Sequence, residues 1–469
     1  MLQPAINASC KSGGNLIPRF IGRRHELEAL DRLAGRPGGQ LLLVYGRRRI
    51  GKSYLLERFS HDRATVFYQA TQQAEAIELA AFSDQIRSLT RLPAGVSFPG
   101  WEAALGAITE ASAGRRLIVI LDEFPYLCDS TGGLPSIVQR WWDHHGRTSG
   151  VMLILCGSAQ AFMEELDSHA APLFSRFTAK LAVRPLSYRE AAEFVPTLSV
   201  ADKALTFGIL GGTPFNLDQW DAALDVRGNL LRLFGDPMSS LVDSADRILT
   251  ADLPDPHVAY RVLRAIALGH SRWTEIRDFA KVHDRVLPRL LEIGLIERRT
   301  PVTEDPEKSR RSLYRIPDPY LRFWFRFILR NRGAIERGLG AALIDEQILP
   351  FLDHQMGQTF EDMAREFALD LVRRGELRAD DVGFWQSPDG QHEFDVVGVA
   401  RRKPTFIGTV KWQHEPLDRR VLVNLEEHAR ALGVGTDIPW LLIGRGGADP
   451  SLLTRPTLRG FSVEDLYRP

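Results

Sequence analysis

The sequence has few cysteines, no net charge and no long apolar run, and each shortage excludes a class of protein. The three cysteines among 469 residues, Cys10, Cys128 and Cys156, are far apart and form no CxxC pair. This pattern excludes a disulfide framework and a cysteine zinc site, and it suits a reducing compartment. Cys156 lies in an apolar stretch, where we expect it to be a small core residue.

The charge balance and the hydropathy give no sign of a membrane or of a partner. Lysine plus arginine equals aspartate plus glutamate at 59 each, so any basic surface has to be local. No apolar run approaches the ~18 residues that span a membrane. Residues 1–16 contain one basic residue, Lys11, and no apolar block, so they predict a disordered tail rather than a signal peptide. We therefore expect a cytoplasmic protein that contacts no membrane.

The strongest signal is GRRRIGKS at residues 46–53, which matches the pattern GxxxxGK[ST]. Residues 40–45 predict a buried parallel strand before it, and residues 54–59 have helical spacing after it. Strand, glycine-rich loop and helix N-terminus together predict a loop that binds the phosphates of a nucleoside triphosphate. The residues expected at the nucleotide are Gly46, Arg47, Arg48, Arg49, Ile50, Gly51, Lys52, Ser53 and Tyr54.

Two carboxylates follow a second buried strand, residues 116–121. In this arrangement Lys52 would reach the β and γ phosphates, and Ser53 would place its hydroxyl on Mg²⁺. We expect Asp122 to hold the water shell of the same Mg²⁺, and Glu123 to polarise the water that attacks the γ phosphate. Glu123 therefore favours hydrolysis of the nucleotide over binding alone.

Three further features of this region each leave two interpretations open. Ser158, after a third buried strand, either touches the γ phosphate or the attacking water, or caps the helix predicted from residue 159. Arg176 either stabilises transition-state charge in its own or a neighbouring subunit, or is an ordinary surface arginine. The apolar lead-in at Phe20 either packs over the adenine or covers the sheet edge.

A locally basic region follows a stretch of predicted helices at 188–250, which suit a lid over the nucleotide. Residues 256–330 carry 16 Lys or Arg against 9 Asp or Glu. Three helical patterns and then two short strands predict a winged helix-turn-helix. It could contact the phosphates of double-stranded DNA, or it could serve as a protein–protein joint. The basic residues expected on the recognition helix and the wing are Lys281, Arg285, Arg289, Arg310 and Arg311.

An aromatic-rich segment at 318–327 follows, and aromatic residues at helical spacing indicate packing more than stacking on nucleic-acid bases. The remaining chain alternates helix and strand patterns and resembles the restriction-endonuclease-like core. In such a core Asp395 would bind metal, Lys411 would orient water and Glu361 would be a third acid. However, Thr409 stands where that pattern has an acid, and a threonine supplies no anionic ligand. We therefore expect a degenerate nuclease fold that is kept for binding.

Taken together, the chain resembles a prokaryotic, archaeal-type P-loop ATPase family near the AAA+ and STAND classes, with a nuclease-like C-terminal domain of unknown function. The motifs that carry the resemblance are FIGRRHELEAL, YGRRRIGKS, ILDEFPYL, CGS, PLFSR, GGTPFNL, DPYLRFWFRF and EFDVV…GTVKW. The resemblance implies ATP with Mg²⁺ as the bound nucleotide. It also implies that residues 211–214 form a lid turn that reports nucleotide state, and it favours Arg176 as a sensor or finger.

The sequence thus predicts an α/β protein of several modules. They are a P-loop parallel sheet at 17–187, a helical lid at 188–250, a winged helix-turn-helix at 251–335 and a restriction-endonuclease-like module at 336–469. The leading hypothesis is an ATP-driven switch acting on DNA or on a protein partner. The alternatives are a DNA-binding regulator in which nucleotide is a structural ligand, and a metal-dependent nuclease. If Arg176 acts as an arginine finger at the nucleotide of a neighbouring subunit, the protein would have to form oligomers.

Overall fold

The computed structural model describes residues 20–90, 92–253 and 256–468. They divide into two compact units, of which the first ends at Pro185 and the second begins at Leu186. In these described ranges, no helix is both long enough and apolar enough to cross a membrane. Cys10 lies outside the described residues.

The first unit is built on five parallel strands in the order β2-β3-β4-β1-β5. Every residue of β3 and β4 is buried, and β1 is buried up to its last residue. This explains why these three strands are continuous apolar runs in the sequence. The strands are β1 (Gln40–Tyr45), β2 (Thr65–Gln69), β3 (Leu117–Asp122), β4 (Val151–Gly157) and β5 (Ala179–Ala182).

Helices cover both faces of this sheet. Alternate side chains of β1 enter two separate cores: Leu41 and Leu43 pack in one, and Leu42 and Val44 pack in the other. The period of two along a strand explains this division. The helices are α1 (Arg24–Ala34), α2 (Lys52–Ser60), α3 (Glu75–Thr90), α4 (Trp101–Ala111), α5 (Phe124–Ser130), α6 (Leu134–His144) and α7 (Gln160–Glu165), with a 3₁₀ turn at Gly146–Thr148.

The P-loop-type parallel sheet predicted from the sequence is confirmed. Its three central strands lie within a residue of their predicted positions, whereas β2 and β5 gave no clear signal in the sequence. Both are edge strands in which burial alternates along the strand: buried with half-buried residues in most of β2, and half-buried with exposed residues in β5. Neither therefore forms a continuous apolar run. Cys156, on β4, is fully buried as expected, and burial raises the pKa of its thiol well above the usual value.

The second unit begins with helices and a short antiparallel hairpin of β6 and β7. The helices expected at 188–250 and the three expected at 256–292 are present, and the hairpin follows them. The winged-helix assignment itself stays a prediction. The elements are α8 (Tyr188–Ala192), α9 (Val200–Leu210), α10 (Pro214–Leu217), α11 (Val226–Leu230), a π-helical turn at Leu231–Gly235, α12 (Ser244–Asp252), α13 (Pro256–Ala267), α14 (Trp273–Ala280), α15 (Val286–Glu292), β6 (Glu297–Arg299) and β7 (Leu313–Arg315).

The aromatic-rich segment is a helical stretch whose aromatic side chains are buried. Tyr320, Phe323, Trp324, Phe325 and Phe327 are each at most 2% exposed, which confirms packing over base stacking. The stretch contains α16 (Pro319–Phe323), a π-helical turn at Trp324–Ile328, a 3₁₀ turn at Leu329–Asn331 and α17 (Arg332–Glu336). It is followed by α18 (Gly340–Leu343), a π-helical turn at Ile344–Ile348, a 3₁₀ turn at Leu349–Phe351 and α19 (Leu352–Arg373).

A separate five-stranded sheet, in the order β12-β11-β10-β9-β8, ends the chain. Strands β8, β9 and β10 pair antiparallel, and β10, β11 and β12 pair parallel. A C-terminal α/β module is therefore present, and its nuclease-like assignment stays a prediction. Its elements are β8 (Asp381–Gln386), β9 (Glu393–Ala400), β10 (Lys403–Lys411), α20 (Arg419–Leu432), β11 (Trp440–Gly444), a 3₁₀ turn at Pro450–Leu452, β12 (Leu458–Phe461) and α21 (Val463–Leu466).

One half-buried carboxylate on α19 makes stability depend on pH. Burial raises the pKa of Glu366 from 4.5 to about 7, although the charge of Arg189 opposes the shift. Folding therefore takes up a proton at this group. Its contribution to stability is fully present below pH 4.5 and is lost as the pH rises through 7.

We expect Glu366→Gln to remove this loss, because glutamine imitates the protonated acid. At pH 8 the variant should be more stable than the wild type by roughly 2 kcal/mol, and at pH 5 the two should be nearly equal. Urea denaturation at both pH values measures the difference, with the exposed Glu427→Gln as control. If the free energies of unfolding of the variant and the wild type differ equally at the two pH values, the raised pKa of Glu366 would be contradicted.

Candidate nucleotide-binding site

The loop between β1 and α2 has a backbone that requires both glycines of its pattern. A Cβ atom on Gly46 would lie 2.4 Å from the carbonyl oxygen of Val183. Gly51, the residue before α2, has a φ of 90°, a conformation that residues with side chains rarely adopt. Arg49 within the loop also has a positive φ, of 65°. The chain therefore curls tightly between the strand and the helix, as a phosphate-binding loop requires.

Lys52 is held over this loop by the loop's own carbonyl groups. Its side chain is buried, and Nζ donates to the main-chain oxygens of Gly46 at 2.8 Å and Arg47 at 3.1 Å. The ammonium group thus lies beside the loop that would receive phosphates. Its two carbonyl partners are neutral, so phosphate oxygens would be stronger acceptors for the same donor.

Ser53 and Asp122 are brought together although they are far apart in sequence. The hydroxyl of Ser53 donates to Oδ2 of Asp122 at 2.6 Å, and the carboxylate is 1% exposed at the end of β3. The other carboxylate oxygen accepts from the main-chain N–H of Glu123 at 3.0 Å. One hydroxyl and one carboxylate fit Mg²⁺, which takes oxygen ligands and is bound by few protein groups besides water and phosphates.

Glu123 and Ser158 form the second polar contact of the site. The Ser158 hydroxyl lies 3.1 and 3.0 Å from the two carboxylate oxygens of Glu123. Glu123 has a φ of 52°, and strained backbone of this kind concentrates at functional sites. Ala159 precedes α7 at the cap position, so Ser158 does not cap that helix as one interpretation expected. Ser158 directly follows strand β4, which lies between β1 and β3 in the sheet.

Arg23 is a residue of this site that the sequence did not identify. It is 4% exposed, and its Nη2 donates to the main-chain oxygen of Ile50 at 2.9 Å, so it braces the loop. The motif FIGRRHELEAL contains it, yet nothing in that motif indicates the contact. Phe20 packs on Tyr54 at the start of α2, with ring centroids 5.4 Å apart. Both interpretations of the Phe20 lead-in remain open.

Two other arginines expected near the nucleotide have protein partners. Arg48 donates to the hydroxyl of Tyr126 at 2.9 Å. Arg176 donates from Nε and Nη2 to the carboxylate of Asp143 at 2.9 to 3.1 Å, and this bond lowers the pKa of Asp143. Arg176 would have to leave this ion pair to reach a γ phosphate. Its role as sensor or finger stays a prediction.

The three residues of the nuclease-like pattern meet in the second unit, but their surroundings do not fit a divalent metal. Oδ2 of Asp395 accepts from the N–H of Val410 at 2.7 Å and lies 3.2 Å from Thr409 Oγ1 and 3.9 Å from Lys411 Nζ. Thr409 thus acts as a hydrogen-bond donor rather than as a metal ligand. Across the described ranges, no group of three or more His, Cys, Asp or Glu residues could hold a metal ion.

An arginine further opposes a cation at this place. Glu361 accepts from Arg365 Nη2 at 2.7 Å, and Arg365 Nε donates to the main-chain oxygen of Asp395 at 2.7 Å. Burial, and next the negative charge of Asp395, raise the pKa of Glu361. The guanidinium group therefore already supplies a positive charge to the Glu361 carboxylate.

The basic residues expected to contact DNA differ in their availability. Arg311 forms an ion pair with Glu304 and donates to the main-chain oxygen of Gln386 at 2.8 Å. Arg289 forms an ion pair with Glu292 at 3.0 Å. The other three have exposed side chains: Lys281, Arg285 and Arg310.

The fold and the site geometry define a P-loop nucleotide-binding domain, and comparisons with known proteins agree. Residues 20–219 match a family model described as an ATPase domain predominantly from Archaea. Residues 324–426 match a family of archaeal and bacterial proteins of unknown function. Residues 20–219 are therefore similar to the ATPase domains that this family model describes.

Two proteins of Methanocaldococcus jannaschii are similar in sequence. An uncharacterized protein is 27% identical over 411 residues, which are 84% of this chain and 88% of that protein. An uncharacterized ATP-binding protein is 38% identical over 55 residues, which are 11% of this chain and 93% of that protein.

Two solved archaeal structures are similar at low sequence identity. The Walker-type ATPase of Pyrococcus abyssi has a TM-score of 0.49 and 21% identity, with 66% of this chain and 96% of that chain covered. The ORC2 protein of Aeropyrum pernix, in ADPNP and ADP complexes, has a TM-score of 0.44 and 16% identity. The match covers 70% of this chain and 97% of that chain.

Proposed function

We propose that this protein is a switch that binds Mg²⁺–ATP in the loop at 46–53 and hydrolyses it. The observation that carries the proposal is the pair of side-chain contacts at the strand ends. Ser53 bonds to Asp122 at 2.6 Å, and Ser158 bonds to Glu123 at 3.0 Å. The candidate metal-binding pair, Ser53 and Asp122, therefore lies beside the candidate base, Glu123, which follows Asp122 in the chain. Phosphoryl transfer to water needs this arrangement.

Each residue would act through an exchange of partners. Lys52 would leave the carbonyl groups of Gly46 and Arg47 and donate to the β and γ phosphate oxygens. Ser53 and Asp122 would hold Mg²⁺, which when bound neutralises charge that develops on the phosphates. Glu123 would accept a proton from the attacking water, and Ser158 would keep the Glu123 carboxylate in position until that water binds.

The second unit would carry the output of the switch. Its exposed residues Lys281, Arg285 and Arg310 can contact phosphates without breaking an ion pair, which supports double-stranded DNA as the partner. A protein partner is the alternative if DNA does not bind. The chemistry around Asp395 and Arg365 does not support a nuclease, because an arginine stands among the acids that would hold a metal.

We expect Glu123→Gln to bind ATP with unchanged affinity and to release phosphate at least about a hundredfold more slowly. Glutamine keeps the size of the side chain but cannot accept the proton, and such a base contributes ~10²-fold or more. Phosphate release under saturating ATP and nucleotide binding by calorimetry measure the two effects. Glu110→Gln, an exposed position on α4, is the matched control. Near-normal turnover in Glu123→Gln would exclude this base.

We expect the triple variant Lys281→Ala, Arg285→Ala, Arg310→Ala to bind duplex DNA at least about a hundredfold more weakly at low salt. Its slope of log affinity against log salt should fall by about 3, because each removed cation leaves one phosphate without its partner. Fluorescence anisotropy over a salt series measures both quantities. The exposed Arg420→Ala serves as control. Equal affinity and slope in the triple variant would remove this surface as the DNA-binding face.

A further inference from the structure

A cavity of about 400 Å³ in the second unit is lined by apolar side chains together with cationic and amide ones. No Asp or Glu is among the described residues that line it. Arg322, Arg326 and Arg330 form one wall, and their spacing of four residues places them on one side of the helical stretch. Side chains of α19, including His354 and Gln355, form the opposite wall.

Arg322 is the most buried of the three arginines, and its charge is only partly compensated. It is 4% exposed, and its Nη2 donates to Thr359 Oγ1 at 3.0 Å. Its Nε is buried and has no hydrogen-bond partner among the described residues. Asp362 is 3.5 Å from Nη1, but that carboxylate makes shorter bonds to Arg315 at 2.6 Å and to Arg365 at 2.7 Å. Arg315 and Arg365 each have a second acid, Glu297 and Glu361, whereas Asp362 at 3.5 Å is the acid that pairs with Arg322.

The other two arginines have neutral partners in the cavity. Arg326 donates to Gln355 Oε1 at 3.0 Å and contacts His354 Nδ1 at 3.2 Å. Arg330 contacts Gln347 Oε1 at 3.4 Å. Burial, and next the positive charge of Arg330, lower the pKa of Arg326. An anion in the cavity would oppose this lowering of the pKa, because it would supply negative charge and hydrogen-bond acceptors together.

The backbone of both walls is unusual. Arg326 lies in the π-helical turn Trp324–Ile328, and Gln347 lies in the π-helical turn Ile344–Ile348. Such turns are rare and occur often at functional sites. Here both turns bring polar side chains to the same cavity.

We propose that this cavity binds the terminal phosphate of a small phosphorylated molecule of mononucleotide size. Guanidinium groups match phosphate oxygens in geometry and charge. A volume of about 400 Å³ lies in the range of small-molecule sites. A terminal phosphate can reach a side chain as buried as Arg322. A phosphate within a continuous nucleic-acid backbone has a sugar on each side, and these sugars would keep it from entering the cavity. Phe351, 52% exposed at the cavity, offers an aromatic face to a planar group.

The site lies outside the nucleotide loop, and ATP hydrolysis has no need of it. Arg326 and Arg330 fall in the segment 324–426, which matches the family of unknown function. The cavity would give the second unit a ligand of its own, and thus a second chemical input beside ATP.

The test uses the full chain with Lys52→Ala, which weakens phosphate binding at the loop. Isothermal titration calorimetry is run with inorganic phosphate and with each of the four ribonucleoside 5′-monophosphates. Hydrogen–deuterium exchange then shows which peptides the bound probe protects. We expect at least one of these probes to bind, with protection of peptides from residues 322–330 and 344–358 and none at 46–53. Arg326→Gln and Arg330→Gln should each weaken that binding about tenfold, because each removes one charge-assisted hydrogen bond.

Controls separate binding from folding. Arg420→Gln removes the same charge from a side chain that is 92% exposed, and it should leave the affinity unchanged. Arg330 is also exposed, so its substitution should not alter the melting temperature. The proposal is overturned if none of the five probes binds, if the affinity is equal in all variants, or if the bound probe protects peptides outside 322–330 and 344–358.

Discussion

The hydrogen bond between Ser53 and Asp122 is the interaction on which the nucleotide site depends. It joins the first turn of α2 to the end of β3, although β4 separates β1 from β3 in the sheet. This contact is possible because the parallel strands all end at one edge of the sheet, and the loop at 46–51 lies along that edge. Glu123 follows Asp122 directly, and the hydroxyl of Ser158, at the end of β4, contacts the Glu123 carboxylate. The order of strands therefore determines which side chains meet.

Much of this site could be predicted from the sequence because its signals are local. The glycine spacing and the three buried strands require only neighbouring residues to be recognised. The edge strands β2 and β5 escaped prediction because neither is continuously buried, so neither forms an apolar run. The brace from Arg23 to Ile50 and the pairing of Arg176 with Asp143 depend on residues distant in the chain. No spacing rule reveals such contacts.

In the second unit, still more of the important contacts join residues that are distant in the chain and could not be predicted from the sequence. Its helices, its hairpin and the burial of its aromatic segment followed from periodicity. The expectation of a degenerate nuclease site came from Thr409, which was visible in the sequence, and it stays a prediction. The placement of Arg365 among the acids was not visible, and neither was the arginine cavity. Arg322, Arg326 and Arg330 are regularly spaced, but the glutamines that face them come from another helix, and only the fold brings the two together.

The most direct test of the account is the effect of Mg²⁺ on ATP affinity in the wild type and in Ser53→Ala. Calorimetric titrations with Mg²⁺, and with a chelator in its place, give both values, and Ser60→Ala on the same helix is the control. The account predicts that Mg²⁺ tightens ATP binding at least about tenfold in the wild type and the control, and that Ser53→Ala loses most of this gain. An equal gain from Mg²⁺ in Ser53→Ala would contradict the assignment of Ser53 and Asp122 as the pair that holds the metal.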